Sequence, residues 1–169
     1  MNGNSLCNAL TQFLSAPTLP LWQYVLVAYV LTISTSVMLL SMVWIVAVAL
    51  GVDPHLLMPA PPTRTLVDLF GAVVFAPLVE TAILAGGLKL LYRLTQRSGI
   101  VAGISAGCWG LLHGLQAPLW FFGTAFSFFV FSCAYLWWRQ VSFRHAFAAA
   151  ALPHVLINAT VMAMVFAIW

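Results

Sequence analysis

Four polar side chains lie inside long apolar stretches of this sequence. If such a stretch crosses a membrane, an acidic side chain at its centre raises the free energy of insertion by roughly 2.5–3.5 kcal/mol. The four side chains are those of Glu80, His113, His154 and Asn158. A carboxylate beside an imidazole can take a proton from water and so create a nucleophile for a peptide carbonyl. A second imidazole and a side-chain amide can donate hydrogen bonds to the oxyanion that then forms. These residue types therefore predict hydrolysis inside a membrane.

The spacing of the four residues is compatible with one site. His154 and Asn158 are four residues apart and share a helix face, as do Trp109 and His113. At 1.5 Å of rise per residue, the four polar residues lie about 13–24 Å from the basic residues of the loops. This spread corresponds to about two helical turns.

Two other chemistries are possible for the same region of sequence. Zinc bound by Glu80, His113 and His154, with one open position, is the alternative to a site without cofactor or metal. The stretch 103–107 has the pattern G-x-S-x-G, which would allow a rhomboid-like serine protease that pairs Ser105 with His154. Because this stretch lies inside an apolar run, we expect instead that its G-x-x-x-G spacing serves close helix packing.

The composition identifies the setting in which these residues act. The chain has 169 residues, of which 63% are hydrophobic and 5% charged, and its mean hydropathy is +1.05. A soluble domain carries about a quarter charged residues. A soluble enzyme, a nucleic-acid binder and a disordered chain are therefore excluded, and the lipid bilayer is the expected environment.

The apolar runs predict an all-α, polytopic transmembrane helix bundle of about five spans, since about 20 apolar residues cross a bilayer. Ser34-Thr35-Ser36 could break the first span, and residues 5–16 are expected to lie on the membrane surface. The predicted spans cover residues 21–50, 66–91, 99–117, 119–138 and 146–168.

Charged residues predict the orientation of the bundle. Arg64 falls on one side of the membrane, and five basic residues fall on the other. Because basic residues concentrate in cytoplasmic loops, the side with five is predicted to be cytoplasmic. Five spans would then place the N-terminus in the cytoplasm as well. Of the three acidic residues, Asp53 lies in a loop and Asp68 forms a capping box with Thr65. Glu80 alone has no such role. The five basic residues are Lys89, Arg93, Arg97, Arg139 and Arg144.

Three short motifs occur in an order that resembles a known family. They are Ala76-Pro77-Leu78-Val79-Glu80, Trp109-x-x-x-His113 and His154-x-x-x-Asn158. Together they resemble the CAAX protease and bacteriocin-processing family (CPBP, or Abi) of glutamate-type intramembrane proteases. The resemblance covers residues 66–169, which it implies form a four-helix catalytic core. Residues 1–65 would add the surface segment, the first span and a loop.

The resemblance implies a role for each site residue. Glu80 would activate water, His113 would assist it, and His154 and Asn158 would form the oxyanion site. Thr81 and Ala85 stand where the family has Glu and Arg. The joint absence of the family's Glu and Arg fits the deletion of a supporting ion pair, because the loss of only one of them would leave a buried charge without a partner. It also fits a member that is losing activity.

The expected function is that of an intramembrane endopeptidase that hydrolyses a peptide bond of a membrane-anchored or membrane-associated substrate, for example in C-terminal processing or sorting. The resemblance favours a multi-pass location in a bacterial inner (plasma) membrane. A non-catalytic membrane immunity or partner protein, or a small proton-linked transporter, is the alternative. Considered singly, Asn158 is better explained as an interhelical hydrogen-bond donor than as a catalyst.

Overall fold

The computed structural model describes residues 11–14, 19–60 and 64–168, and their regular structure is helical throughout, with no strand. This confirms the all-α prediction. Residues 11–14 are helical, while the rest of the predicted surface segment at 5–16 lies outside the described residues. The long helices are α1 (Leu21–Ala49), α2 (Leu66–Leu94), α3 (Ser98–Gly114), α4 (Trp120–Trp138) and α5 (Phe143–Ile168).

Four of these helices, α1, α2, α4 and α5, are long and apolar enough to cross a membrane by length and composition. The chain is accordingly a multi-pass helical membrane protein. Helix α3 has 17 residues, because the chain leaves the helix after Gly114 and turns before Pro118. Its rise of about 25 Å is at the lower limit for a span. The count of five spans and the cytoplasmic N-terminus therefore stay predictions.

Helix α1 is continuous over 29 residues, and the break considered at Ser34-Thr35-Ser36 does not occur. Hydroxyl groups are accommodated in this apolar helix because they hydrogen-bond to carbonyls. The Thr32 hydroxyl donates to the Ala28 carbonyl one turn earlier, at 2.6 Å. The Ser36 hydroxyl reaches the Gly123 carbonyl of α4, at 3.2 Å.

The hairpin of α3 and α4 is closely packed at its turn end. A Cβ atom added at Gly110 would lie 2.8 Å from the Ala125 Cβ, and one added at Gly114 would lie 3.0 Å from the Phe121 Cβ. The prediction that Gly103 and Gly107 provide the close approach is wrong for contacts within this chain. Added Cβ atoms at those two positions would meet no described atom within 4 Å.

Contacts at the two ends of the bundle set the direction of α1 relative to α4. The Tyr24 ring, near the start of α1, lies edge-on to Trp138 at the end of α4, with centroids 5.5 Å apart. At the opposite end, the Leu119 N–H donates to the Leu57 carbonyl at 3.1 Å. Helices α1 and α4 are therefore antiparallel, as the alternating spans predict.

Helix α2 contains a π-helical turn that the sequence analysis did not predict. Its start agrees with the predicted capping box, since the Thr65 hydroxyl accepts from the Asp68 N–H at 3.1 Å. The π-helical turn covers Gly71–Phe75, and the Ala76 N–H donates to the Gly71 carbonyl, five residues back instead of four. Regular α-helix resumes at Ala76 and continues through Glu80 to Leu94.

Candidate active site

A cavity of about 420 Å³ lies among all five long helices, and its wall contains all four polar residues singled out from the sequence. Glu80 comes from α2, His113 from α3, and His154 and Asn158 from α5. The four residues, whose expected depths in the membrane differ by about two helical turns, thus line one cavity. Four further polar residues line it: Ser36, Gln116, Thr124 and Ser127.

Glu80 presents an unpaired carboxylate oxygen in this cavity. Its Oε2 atom is buried and has no hydrogen-bond partner among the described residues. The Nε2 atom of His154 lies 3.8 Å from it. This distance is too long for a direct hydrogen bond. The Glu80 side chain as a whole is 23% exposed, so the carboxyl group can also be reached from the cavity.

Packing determines the orientation of the His154 ring. The ring stacks on Phe131 with centroids 5.1 Å apart at 22°, and lies edge-on to Phe128 at 5.4 Å and 77°. Its Nδ1 atom is buried and has no hydrogen-bond partner in the described part of the chain. The two phenylalanines of α4 therefore hold the imidazole with Nε2 near Glu80.

His113 lies in the last turn of α3, and a hydrogen bond defines its tautomer. Its Nδ1 atom lies 3.0 Å from the Trp109 carbonyl, which can only accept, so Nδ1 carries a proton. In the neutral ring Nε2 is then an acceptor. The predicted proximity of Trp109 and His113 is confirmed, with ring centroids 6.0 Å apart. Trp120 and Phe128 also flank the imidazole, at 6.0 and 5.8 Å.

Asn158 connects α5 to the π-helical turn of α2. Its Nδ2 atom donates to the Ala72 carbonyl at 2.8 Å. One of the two N–H groups of the amide is therefore engaged between helices, and Asn158 also lines the cavity. Asn158 thus has the interhelical bond that the sequence favoured for it when considered singly.

Ser105 lies apart from this cavity. Its hydroxyl accepts a hydrogen bond from the Ser132 hydroxyl at 3.1 Å, and both residues are buried between α3 and α4. His154 does not provide a base for it, since His154 Nδ1 has no partner among the described residues and Nε2 is near Glu80. The structure does not form the Ser105–His154 pair of the serine alternative.

The zinc alternative has no support from the arrangement of the described side chains. Among the described residues, no group of three or more His, Cys, Asp or Glu side chains is placed to hold a metal ion. Glu80 and His154 are near each other, but they supply only two ligands of the three that a catalytic zinc takes from protein.

Helix α1 contributes a wall of the cavity that the sequence analysis did not include. Ile33, Ser36, Val37 and Leu40 line it, so the cavity is not confined to residues 66–169. The Ser36 hydroxyl lies 3.2 Å from that of Ser127. The hydroxyl residues Ser34-Thr35-Ser36 are the signal in the sequence for this wall.

The two positions that depart from the family pattern are filled by small buried side chains. Thr81 is 2% exposed and Ala85 is 9% exposed. Ala85 belongs to the main apolar core together with Leu84 and Leu88 of the same helix. No buried charge is left without its partner at this place, which agrees with the joint loss of an ion pair.

Comparisons of the chain with family models, curated proteins and solved structures found no match. The fold and the cavity define a class, a multi-pass helical membrane protein with a carboxylate and two imidazoles inside its bundle. The resemblance to the CAAX protease and bacteriocin-processing family stays a prediction that rests on the three motifs.

Proposed function

We propose that the chain is an intramembrane endopeptidase of the glutamate type. The observation that carries this proposal is the buried, unpaired Oε2 of Glu80, which lies 3.8 Å from His154 Nε2 in a cavity among apolar helices. Intramembrane acids are costly and serve function by default. An unpaired carboxylate beside an imidazole suits the binding and deprotonation of water.

In the proposed reaction a water molecule is bound by the Glu80 carboxyl group on the side that faces the cavity, where the side chain is 23% exposed. Glu80 takes a proton from it, and the oxygen attacks the carbonyl carbon of the scissile peptide bond. The C–N bond of the resulting tetrahedral intermediate breaks, and the proton passes from Glu80 to the leaving amine. The water is thus divided between the new carboxyl group and the new amine. The apolar surroundings strengthen each electrostatic interaction of these steps.

His154 and His113 take different parts in this scheme from those that the resemblance implies. His154, the imidazole 3.8 Å from Glu80, assists Glu80 in orienting water. His113 has Nε2 free as an acceptor, so it serves as a second site for the proton. The remaining N–H of Asn158 donates to the oxyanion.

The position of the cavity limits the class of substrate. A peptide bond must be brought into a bundle whose outer surface is apolar, so the substrate is a membrane-anchored or membrane-associated segment with a locally extended backbone. Exposed Gln116 in the turn after α3 lines the cavity and provides a route for water from that end of the bundle. A bacterial inner membrane is the proposed location.

The test is to compare membrane-protein fragments in cells that express the wild-type chain or the Glu80→Gln variant. Glu80→Gln keeps the size of the side chain and removes its basicity, so cleavage products should disappear while expression and thermal stability are retained. Purified wild-type and Glu80→Gln protein are then incubated with the membrane protein whose fragments changed. Cleavage that persists at the wild-type rate in Glu80→Gln would refute the proposal.

A small proton-linked transporter is the second candidate, because an unpaired buried carboxylate is also a proton-binding site. Proton flux in liposomes that depends on Glu80, without any fragment that depends on it, would favour this candidate. The buried Thr81 and Ala85, in place of the family's charged pair, favour a non-catalytic immunity or partner protein. That function predicts neither flux nor fragments.

A further inference from the structure

The π-helical turn of α2 leaves the Ala72 carbonyl without its usual backbone partner. In an α-helix this carbonyl would accept from the Ala76 N–H, but that N–H donates to Gly71. In the π-helical pattern the next donor, five residues on, would be Pro77. Proline has no N–H. A carbonyl in the apolar interior of a membrane bundle needs another donor.

Asn158 provides that donor from the neighbouring helix, with its Nδ2 atom 2.8 Å from the Ala72 oxygen. We infer that Asn158 is a positioning residue, which replaces the N–H missing at Pro77 and thereby holds the π-helical turn that orients Glu80. This role is distinct from donation to the oxyanion, because it concerns a backbone carbonyl and operates without substrate.

The turn matters for Glu80 because a π-helical turn contains one residue more than an α-helical turn. Removing it would rotate the segment on one side relative to the other by about 100°. As the helix stands, Ala72 and Ala76 line the same cavity as Glu80. Relaxation of the turn would change the direction of Glu80 relative to the start of α2.

The same bond also holds the two sides of the candidate site together. Asn158 lies one turn after His154 on α5, and Ala72 lies eight residues before Glu80 on α2. The bond between Asn158 and Ala72 therefore joins the two helices that carry the 3.8 Å gap between His154 and Glu80. Loss of the Asn158–Ala72 bond should change the distance between His154 and Glu80 even in a variant that still folds.

A double-mutant cycle tests the inference through stability. Asn158→Leu keeps the side-chain size but removes the donor, and Pro77→Ala restores a backbone N–H at position 77. Asn158→Leu should raise the unfolding constant in mild detergent by about 3- to 15-fold, the range of intramembrane hydrogen bonds. In the Pro77→Ala background the same substitution should change it less than about twofold, since Ala72 then has a backbone donor.

Thr160→Val is the matched control for this cycle. Thr160 also joins α5 to another helix, through a 2.8 Å hydrogen bond with the Tyr29 hydroxyl of α1. Loss of this hydrogen bond should lower stability equally in the wild-type and Pro77→Ala backgrounds. An equal cost of Asn158→Leu in both backgrounds, or equal coupling for Thr160→Val, would overturn the inference.

A second measurement reports on Glu80 itself and does not need the Pro77 variant. Dicyclohexylcarbodiimide reacts with buried carboxyl groups, and its rate of labelling at Glu80 can be followed by mass spectrometry. Asn158→Leu should change this rate at least about twofold, and Thr160→Val should not. An unchanged rate in Asn158→Leu would overturn the inference. Both measurements omit substrate, so they stand even if Glu80→Gln fails to stop cleavage.

Discussion

The His154 Nε2 atom lies 3.8 Å from the Glu80 Oε2 atom, with no direct hydrogen bond between them. Phe128 and Phe131 hold the imidazole from two directions. His154 Nδ1 and Glu80 Oε2 are both buried without a hydrogen-bond partner among the described residues. Leaving two buried polar atoms unpaired costs stability, which is an arrangement more typical of functional sites than of a packed core.

His154→Phe should separate stability from activity. It removes an unpaired buried polar atom and keeps an aromatic ring against Phe131, so the free energy of unfolding should rise by about 1 kcal/mol. Cleavage should be lost. His113→Phe is the contrasting control, because His113 Nδ1 is hydrogen-bonded and its replacement should lower stability. Unfolding in detergent measures the stability of both variants. A His154→Phe variant that is less stable than the wild type would contradict the expectation.

Gly110→Ala should destabilise the α3–α4 hairpin by about 1–3 kcal/mol. The new Cβ would lie 2.8 Å from the Ala125 Cβ, closer than two carbon atoms can approach without a shift of a helix. Gly103→Ala is the matched control on the same helix, because its Cβ would meet open space. It should be neutral or slightly stabilising, since alanine favours helix. Equal melting temperatures for the two variants would refute this packing.

Ser105→Ala should leave cleavage unchanged, because the Ser105 hydroxyl bonds to Ser132 between α3 and α4 and lies apart from the cavity. It should cost about 0.6 kcal/mol, the average for an intramembrane hydrogen bond. Ser132→Ala removes the same hydrogen bond and should lower stability by a similar amount. The double variant should be little less stable than either single variant. A Ser105→Ala variant that folds but no longer cleaves would move the protein to the serine class.

Cleavage should survive prolonged dialysis against a metal chelator. In the proposed scheme Glu80 itself deprotonates the water and His154 lies 3.8 Å from it, so no step needs a metal ion. Activity with and without chelator, together with metal analysis of the purified protein, checks this. A stoichiometric ion that is present in the wild type and absent from His113→Ala would revive the zinc mechanism.

Helix positions were predictable because composition and period determine them locally. The start of α2 at Leu66 follows from the Thr65 capping box, and α4 starts and ends within one residue of its predicted limits. Whether the first span would be continuous or broken near Ser34–Ser36 was left open by the sequence. It is continuous, because hydroxyls such as those of Thr32 and Ser36 bond to carbonyls of their own helix or of α4. Whether a hydroxyl finds such an acceptor depends on its neighbours in space.

The composition and the apolar runs of the sequence were sufficient to determine a helical membrane protein and to single out Glu80, because few polar residues can be placed in a membrane. They could not decide which imidazole would lie nearest Glu80, since that depends on how two phenylalanines of α4 hold His154. The tertiary structure also decided that Asn158 bonds to Ala72. This contact joins residues 86 positions apart, and helix period carries no information about such pairs.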